Sequence, residues 1–438
     1  MTKTYRLLAA LTAITVLAVG CSSSSSDSGA SGSTSSGGSS STPAADFVAL
    51  GGWNDGACSA EKPKLRVGII QPIDVAGLSL ADYVDGTQAA VDAFNARGGI
   101  KGQCLDLKVC DSKNDGPTEL ACVRAEVEDP TVVAGLASQL LFVEPDAYKL
   151  FGDAGLSQVG AQVAMPDGWN SPVSYEFTMG GAGALLAGIP ALHSIGVTKF
   201  AVILPETSGA GALTTFAAPL ISSLGMDMVD LIQVPPTAVE FTQFVLAAQN
   251  AGAEGVVLAL PGNTASQIVD AMDSLSSTLK TAGSWGTFSQ KAVTDLPPEI
   301  AKNTSYADAL PPVATDTSRW PIYDVVLSDF AAAKKANLEK DNVTVQALSG
   351  WLSVYSLVKV MRDSGATDIT RASVKQAFDA AKDVPMFDLI PPWTPSQQST
   401  NAIFKGISNS LYWTGHWDSD NQQFVVDTKQ VDLIALLG

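Results

Sequence analysis

Basic residues, histidines and long apolar runs are all scarce in this sequence. Lys and Arg number 26 against 44 Asp and Glu, a formal net charge of −18, and such a surface repels nucleic acid and anionic lipid. The two histidines, His193 and His416, lie far apart, and neither an H-E-x-x-H motif nor, in the folded part, a G-x-S-x-G motif occurs. These absences exclude nucleic acid as a partner and the common zinc-protease and serine-hydrolase layouts. A hydrolase with another layout stays open.

The N-terminus has the pattern of a bacterial lipoprotein signal. Lys3 and Arg6 precede an apolar run over residues 7–19, which is too short to span a membrane comfortably, and Gly20-Cys21 follows. Position 18 is alanine, where a lipobox most often has leucine. We predict a signal peptide over residues 1–20 and lipidation of Cys21; an ordinary cleaved signal is the alternative. No other run approaches the ~20 apolar residues of a spanning helix.

The segment after Cys21 reads CSSSSSDSGASGSTSSGGSSSTPAAD. It has almost nothing to bury, so it cannot offset its ordering entropy. We predict a disordered tether over residues 21–63 that holds a folded part outside the cytoplasm, at a membrane to which the lipid anchors it. The remaining length suits two domains.

Four cysteines follow Cys21, and an even number outside the cytosol indicates disulfides. Cys104 and Cys110 lie on one predicted strand, where six residues span roughly 20 Å, whereas a disulfide needs Cα atoms ~5.5 Å apart. That excludes one pairing of the three. Because Cys110 ends the strand and Cys122 lies one loop later, we predict the pairs Cys110–Cys122 and Cys58–Cys104. The spacings and the lack of a nearby histidine argue against zinc, and no metal site is predicted.

From Lys64 onwards, short β-rich runs alternate with longer helical patterns. Strict βαβα order predicts parallel sheets covered by helices on both faces, and the pattern restarts once, which gives an α/β fold with two doubly wound sheets. Three helices, at roughly 319–337, 344–364 and 371–382, and an irregular β-rich tail follow. The predicted strands are KLRVGIIQPI, LDLKVCD, TVVAGLAS and LSQVGAQ, then KFAVILPE, MDMVDLIQV, GVVLALP and LKTAG.

The stretch FTMGGAGALLAG resembles a dinucleotide-binding loop, because it follows a strand and opens a helix. However, Leu186 stands where the third glycine belongs. Close packing where the chain crosses between lobes explains these glycines better. We therefore predict no nucleotide and no other cofactor.

The run AVDAFNARGGIKGQCLDLKVCDSKND, followed by PTELACVRAEVEDPTVVAGLAS, resembles extracytoplasmic solute-binding proteins of the Leu/Ile/Val-binding type. These are type I periplasmic-binding proteins that serve ATP-binding-cassette (ABC) importers. PETSGAGAL and GVVLALPGN are also similar, and the resemblance covers roughly residues 64–385. It implies two lobes joined by a three-strand hinge, closure around a solute, a membrane permease as partner, a monomer, and no catalysis.

Applied to this chain, the resemblance implies lobe 1 at residues 64–179 with 313–385, and lobe 2 at residues 180–312 with 386–438. Binding residues of the family sit at strand ends, where two lobe 1 loops hold an α-carboxylate through backbone N–H groups and hydroxyls. The matching candidates are Ser138, Gln139, Ala161 and Gln162 in lobe 1, and Ser208, Gly262, Asn263 and Trp285 in lobe 2.

Trp285 falls where the family has an acidic acceptor for the ligand's amino group, and residues 281–294 contain no Asp or Glu. An ammonium buried without an opposite charge is costly, whereas tryptophan offers a large apolar face. The resemblance implies a branched-chain amino acid-like solute, whereas the residues around Trp285 favour an amide, aromatic or aliphatic acid lacking an α-amine, and both stay open. Stacking on a cation keeps betaine-like ligands open. Alternatively, Trp285 packs within its own lobe, and Trp393 either lines the cleft or plugs one lobe.

Two other functions remain compatible with the sequence. One is a ligand-sensing lipoprotein of the same fold that has no transporter, and the other is an exported enzyme. A neighbouring permease and ATPase gene would separate the first from a transport role, and turnover of a bound ligand would reveal the second.

Overall fold

The computed structural model describes residues 46–73, 75, 79–206, 210–284, 287–313 and 318–437. The predicted signal peptide, the lipidation site Cys21 and the Ser/Gly-rich segment to residue 45 lie outside the described residues. The same is true of two predicted site residues, Ser208 and Trp285.

Within the described residues, the first sheet is parallel throughout and has the strand order β2-β1-β3-β4-β5. Its inner strand β1 carries Val67, Ile69 and Ile70, all without exposed surface, as expected for a parallel strand that is covered on both faces. The strands are β1 (Leu65–Gln71), β2 (Leu105–Asp111), β3 (Val132–Leu136), β4 (Ser157–Val159) and β5 (Ser174–Tyr175). The intervening helices are α1 (Ala81–Ala96), α2 (Gly116–Glu128), α3 (Glu144–Ala154) and α4 (Pro166–Trp169).

The second sheet repeats this order. Its parallel strands run β7-β6-β8-β9-β10, and β11 and β12 extend it antiparallel beyond β10. The strands are β6 (Lys199–Pro205), β7 (Asp227–Val234), β8 (Gly255–Leu258), β9 (Lys280–Gly283), β10 (Thr304–Asp308), β11 (Leu411–Asp418) and β12 (Gln423–Asp432). The helices are α5 (Gly180–Ser194), α6 (Ala210–Ser223), α7 (Thr242–Asn250), α8 (Gly262–Ser274), α9 (Gln290–Thr294), α10 (Pro298–Ala301) and, at the end, α14 (Leu433–Leu437).

Three further helices return to the first sheet. They are α11 (Ile322–Ala333), α12 (Val345–Asp363) and α13 (Arg371–Ala380), with a 3-10 turn at Ala336–Leu338. The helix α12 packs along α1, and α13 packs against β3 and β4. The predicted α/β class with two doubly wound parallel sheets is therefore confirmed, whereas β10 was missing from the prediction.

The predicted tether is too long at its C-terminal end. Phe47 and Trp53 are buried, and Phe47 packs edge-on against Trp53, Phe94 and Trp351. The Arg97 guanidinium lies 5.0 Å from the Phe47 ring centroid. The folded part thus includes these aromatic side chains, because two large rings recover more free energy on burial than their ordering costs.

Both predicted disulfides are present. Cys58 and Cys104 have Cα atoms 5.2 Å apart, and those of Cys110 and Cys122 are 5.8 Å apart. The first disulfide fastens the segment before β1 to the turn before β2.

The helices α1 and α12 meet at glycines. A Cβ atom on Gly86 would lie 2.2 Å from the Ala347 carbonyl oxygen. We expect Gly86→Ala to lower the free energy of unfolding by roughly 1–3 kcal/mol, because overpacking forces the helices apart. Gly152→Ala in α3 is the matched control: its Cβ meets no atom within 4 Å, so the better helix propensity should add about 0.5–1 kcal/mol. Urea unfolding measures the change in the free energy of unfolding for each variant. Equal changes would contradict the close approach of α1 and α12 at Gly86.

Candidate ligand-binding site

A cavity of about 190 Å³ lies where the carboxyl ends of the two sheets face each other. This is the expected place for a ligand in open α/β sheets. The first sheet's side contributes residues of α1, of the loops after β3 and β4, and of the start of α12. The second contributes the start of α5 and the ends of β6, β8, β9 and β10. The lining residues are Leu80, Tyr83, Gln139, Leu141, Gln162, Ala164, Thr178, Gly180, Gly181, Ala182, Ala184, Leu185, Leu204, Pro205, Leu258, Ala259, Leu260, Pro261, Ser284, Thr287, Asp308, Val345, Gln346, Ser349 and Tyr412.

The lining is mainly aliphatic, with amide, hydroxyl and carboxyl groups set into it. Aliphatic side chains come from both sheets, so a bound molecule would bury apolar surface against each of them. Such a mixture suits a small, largely apolar molecule that a few polar groups orient.

Buried glutamates hold the two ligand loops of the first sheet. The Glu119 carboxylate accepts backbone N–H bonds from Leu141, Phe142 and Val143 at 3.0, 2.9 and 2.9 Å. The Glu144 carboxylate accepts those of Ala164 and Met165 at 2.9 and 2.8 Å. The positions of both loops are therefore set by hydrogen bonds within the protein itself.

Burial also changes how these carboxyl groups titrate. Burial raises the pKa of Glu144 to about 8, although its two N–H donors oppose the shift. Burial likewise raises the pKa of Glu119 against three N–H donors. Both loops are thus held by side chains that are costly to bury in the ionised form.

We expect Glu119→Ala to lower the free energy of unfolding by roughly 2–4 kcal/mol, because it leaves three backbone N–H groups without their acceptor. The control is Glu128→Ala, which removes an exposed carboxylate from the same helix and should change stability by under about 0.5 kcal/mol. Urea unfolding measures the loss in the free energy of unfolding for both variants. A loss no larger than the control's would show that Glu119 does not hold the loop.

Two of the predicted site residues, Gln139 and Gln162, line the cavity. Their role as ligand contacts stays a prediction. Ser138 and Ala161 lie beneath the surface instead: Ser138 Oγ accepts the Ile70 N–H at 3.0 Å, and Ala161 is 2% exposed. Neither belongs to the lining.

In the second half of the chain, the loop after β8 reaches the cavity through Pro261. Gly262 and Asn263 begin α8 and are not part of the lining, and Asn263 Oδ1 accepts the N–H of its neighbour Thr264 at 2.9 Å. Ser208 and Trp285 lie outside the described residues, so their predicted contacts stay predictions.

The expectation of a cavity without a carboxylate is wrong. Asp308 lines it from the end of β10 and is 8% exposed. The family pattern places an acidic residue after β9, whereas Asp308 ends β10, a strand that the sequence pattern did not predict. The β-rich run TSYAD, which completes a fifth parallel strand like that of the first sheet, was the signal that could have found it.

Two tyrosines that the sequence reasoning also missed lie at the cavity with Asp308. Tyr83 of α1 and Tyr412 of β11 belong to its lining. Burial raises the pKa of both phenols, and the charge of Asp308 adds to the rise.

Trp393 belongs to the connections between the sheets and not to the lining. It is 2% exposed, and its Nε1–H donates to the Glu176 carbonyl oxygen at 3.2 Å and to Ser408 Oγ at 2.8 Å. Asn409 Nδ2 donates to the Phe177 carbonyl oxygen at 3.0 Å. The segment from α13 to β11 is thereby joined to the segment between β5 and α5.

The described residues show no group of three or more His, Cys, Asp or Glu placed to hold a metal ion. Across the same residues, no helix combines the length and apolarity needed to cross a bilayer.

Comparison with known proteins gives one family and many similar folds. Residues 64–403 match the family described as "Periplasmic binding protein", and no curated protein matches the chain by sequence. A fatty acid ABC transporter substrate-binding protein from Thermomonospora curvata has a TM-score of 0.67 at 16% identity, over 87% of this chain and 95% of that chain.

Two further solved structures contain ligands. A branched chain amino acid ABC transporter from Thermus thermophilus with bound valine has a TM-score of 0.68 at 14% identity, over 86% of this chain and 98% of that chain. A solute binding protein of an ABC transporter from R. palustris, in complex with 4-hydroxybenzoate, has a TM-score of 0.65 at 13% identity, over 84% and 98%. At these identities the likeness shows the fold alone.

Proposed function

The chain belongs to the periplasmic binding protein family, and from this premise we propose that it captures a small solute in the cavity between its two sheets. It then delivers the solute to an ABC permease, acts without catalysis, and works as a monomer held outside the cytoplasm by a lipid on Cys21. One observation supports this most: a preformed, mainly aliphatic cavity lies between two sheets that peptide segments connect.

Hinge closure explains how such a cavity would work. The lining comes from both halves, so a ligand makes its full set of contacts only when the halves close. Its preference for the closed form drives the closure. Similar folds that hold valine and 4-hydroxybenzoate support a ligand of this size.

A thermal-shift screen of the purified protein tests the capture of a solute. The panel holds the common amino acids, amides, aromatic and short-chain acids, and amines including quaternary ones. A ligand that binds only the native state raises the melting temperature in proportion to RT ln(1 + [L]/Kd), so a saturable rise with one chemical class is expected. No rise with any compound would overturn the proposed function.

Other experiments separate the remaining alternatives. Chemical change of a bound compound, followed by NMR, would favour an exported enzyme. Binding without permease-dependent uptake would favour a ligand sensor.

Anchoring is tested by Cys21→Ala, which should release the protein from the membrane fraction while ligand binding stays unchanged. Light scattering on the liganded protein tests the monomer.

A further inference from the structure

Two buried glutamates lie behind the cavity, on the side of the first sheet. Glu144, at the start of α3, is 3% exposed, and Glu176, directly after β5, is 1% exposed. Ser174 Oγ donates to Glu176 Oε1 at 2.7 Å. Burial raises the pKa of the Tyr148 phenol, and the charges of Glu176 and Glu144 add to the rise. The two carboxyl groups and the phenol therefore belong to one buried cluster.

Glu144 holds the ligand loop after β4. Its carboxyl oxygens accept the N–H groups of Ala164 and Met165 at 2.9 and 2.8 Å, and Ala164 lines the cavity. Gln162 of the same loop lines both the cavity and a small enclosed gap beside Glu144 and Tyr148. A displacement of the Glu144 carboxyl group would therefore move part of the cavity wall.

Glu176 lies in the connection between the two sheets. Its carbonyl oxygen accepts the Trp393 Nε1–H at 3.2 Å and the Ser408 hydroxyl at 2.8 Å, which both belong to the segment from α13 to β11. The chain then runs into α5, whose first turn lines the cavity at Gly180 and Gly181. The pair Glu144 and Glu176 thus links the ligand loop to the connections about which the two halves would close.

The surroundings of this pair disfavour two negative charges. Burial raises the pKa of Glu144 to about 8, against two N–H donors, and the charges of Asp167 and Glu119 add to the rise. Burial also raises the pKa of Glu176, and the charge of Glu144 adds to that rise. Within the part of the chain that the structure describes, Glu176 Oε2 has no hydrogen-bond partner. The charged groups that act on the pair, from α2 and α4, are thus acidic and increase its repulsion.

We propose that Glu144 and Glu176 make ligand capture depend on a proton, so that the cavity binds at full affinity only while the pair has at most one negative charge. Ionisation of both places two like charges in one cluster that water hardly reaches. Either Glu144 then releases the ligand loop or Glu176 displaces the connection, and each movement disturbs the cavity. The inference rests on the proposed solute-binding function, and it predicts release of the solute as the surroundings turn alkaline.

Calorimetric titration between pH 6 and 9 tests this dependence. The probe compounds are valine, leucinamide, benzoate, hexanoate and choline, which represent the classes of the thermal-shift panel; a stronger binder of the same class replaces its representative. The dissociation constant is expected to stay constant below about pH 7.5 and to rise roughly 5- to 10-fold from pH 7 to 9, because the liganded form keeps a proton that the unliganded form releases.

The proton itself can be measured at pH 8. A proton taken up on binding comes from the buffer, so the binding enthalpies in Tris and in phosphate should differ. Equal enthalpies together with a constant affinity would overturn the inference and leave solute capture intact.

Glu176→Gln tests the assigned pair. Glutamine has the shape of the protonated acid, and Glu144 can then ionise alone and keep its two N–H bonds, so the affinity should stay within about twofold over the same pH range. Comparison with the native protein at each pH removes any titration of the compound itself. If the variant fails to fold, as shown by circular dichroism, the comparison of buffers on the native protein and on the control variant decides.

The matched control is Glu126→Gln. Burial raises the pKa of Glu126 to about 8 as well, but its carboxyl group faces Gly68 of β1 and holds neither ligand loop. The native pH profile should therefore persist in this variant, and so should the difference between the two buffers.

Each result separates the inference from the function on which it rests. A native pH profile in folded Glu176→Gln would overturn the assignment of the pair. Loss of the profile in Glu126→Gln would place the proton elsewhere and would also overturn it. No binding of any compound of the panel at any pH would overturn the proposed function and this inference together.

Discussion

Glu126→Gln is expected to raise the free energy of unfolding by up to about 5 kcal/mol at pH 8 and above, and by little at pH 4.5. Glu126 lies in α2 and is 1% exposed. Its carboxyl group faces Gly68 of β1, where an added Cβ would lie 2.0 Å from Oε1. Neither carboxyl oxygen has a hydrogen-bond partner among the described residues.

Burial raises the pKa of Glu126 from 4.5 to about 8, although the charges of Lys108 and Arg371 oppose the shift. Between these two values the folded protein keeps the proton and the unfolded chain releases it. Stability therefore falls by about 1.4 kcal/mol per pH unit as the pH rises from 4.5 to 8, and stays at the lower level above. Glutamine has the shape of the protonated acid and no charge, so it escapes this loss.

Urea unfolding of the native protein and of Glu126→Gln at five pH values between 5 and 9 measures the gap between their free energies of unfolding. The gap between the two should widen steadily up to about pH 8 and then stay constant. Glu128→Gln removes an exposed carboxylate from the same helix and should give a nearly constant gap. A constant gap for Glu126→Gln as well would contradict a buried, protonated carboxyl group.

Removing the Cys58–Cys104 disulfide by alanine substitution of both residues is expected to cost about 4 kcal/mol, and removing Cys110–Cys122 about 3 kcal/mol. The two bonds close loops of different length, with sequence separations of 46 and 12. A longer closed loop restricts the unfolded chain more. Because backbone bonds also hold the first segment, including the Cys58 N–H to the Asn95 carbonyl oxygen at 2.8 Å, the native fold should persist in the variant.

Guanidinium unfolding of the two double-alanine variants, and of the variant lacking all four cysteines, measures how much free energy of unfolding each loses and so ranks the two disulfides. The quadruple change is expected to be close to the sum of the two, since the bonds lie in different loops. A larger loss for Cys110–Cys122 than for Cys58–Cys104 would show that native-state contacts, and not loop closure, decide the ranking. Peptide mass mapping without reduction checks the two pairings first.

The sequence predicted the doubly wound fold because its signals are local and repeated. Runs such as KLRVGIIQPI end at turn residues and alternate with helical patterns, and strict alternation leaves few topologies. Distance excluded one of the three disulfide pairings, since two cysteines on one strand are too far apart to bond. The position of Cys122 one loop after Cys110 then favoured one of the remaining two. Membership of the periplasmic binding protein family likewise followed from the order and spacing of several motifs, and the family match confirms it.

The end of the tether was predicted wrongly for a physical reason. Composition separates the Ser/Gly-rich segment from the rest, but it does not reveal that Phe47 and Trp53 bury against helices some 40 to 300 residues further on. An aromatic residue next to a segment of low sequence complexity is buried through tertiary contacts, which no local pattern contains.

The chain by itself determined the class of fold, the repeat of two sheets, the disulfides and the kind of protein. The tertiary structure alone decided the chemistry of the cavity. Among the described lining residues, the one carboxylate comes from β10 and the tyrosines come from α1 and β11. These residues lie about 100 to 330 positions apart in the sequence and come together only through the packing of the three elements. Sequence periodicity reports which face of an element is buried, whereas the meeting of side chains at a sheet edge depends on how all the elements pack.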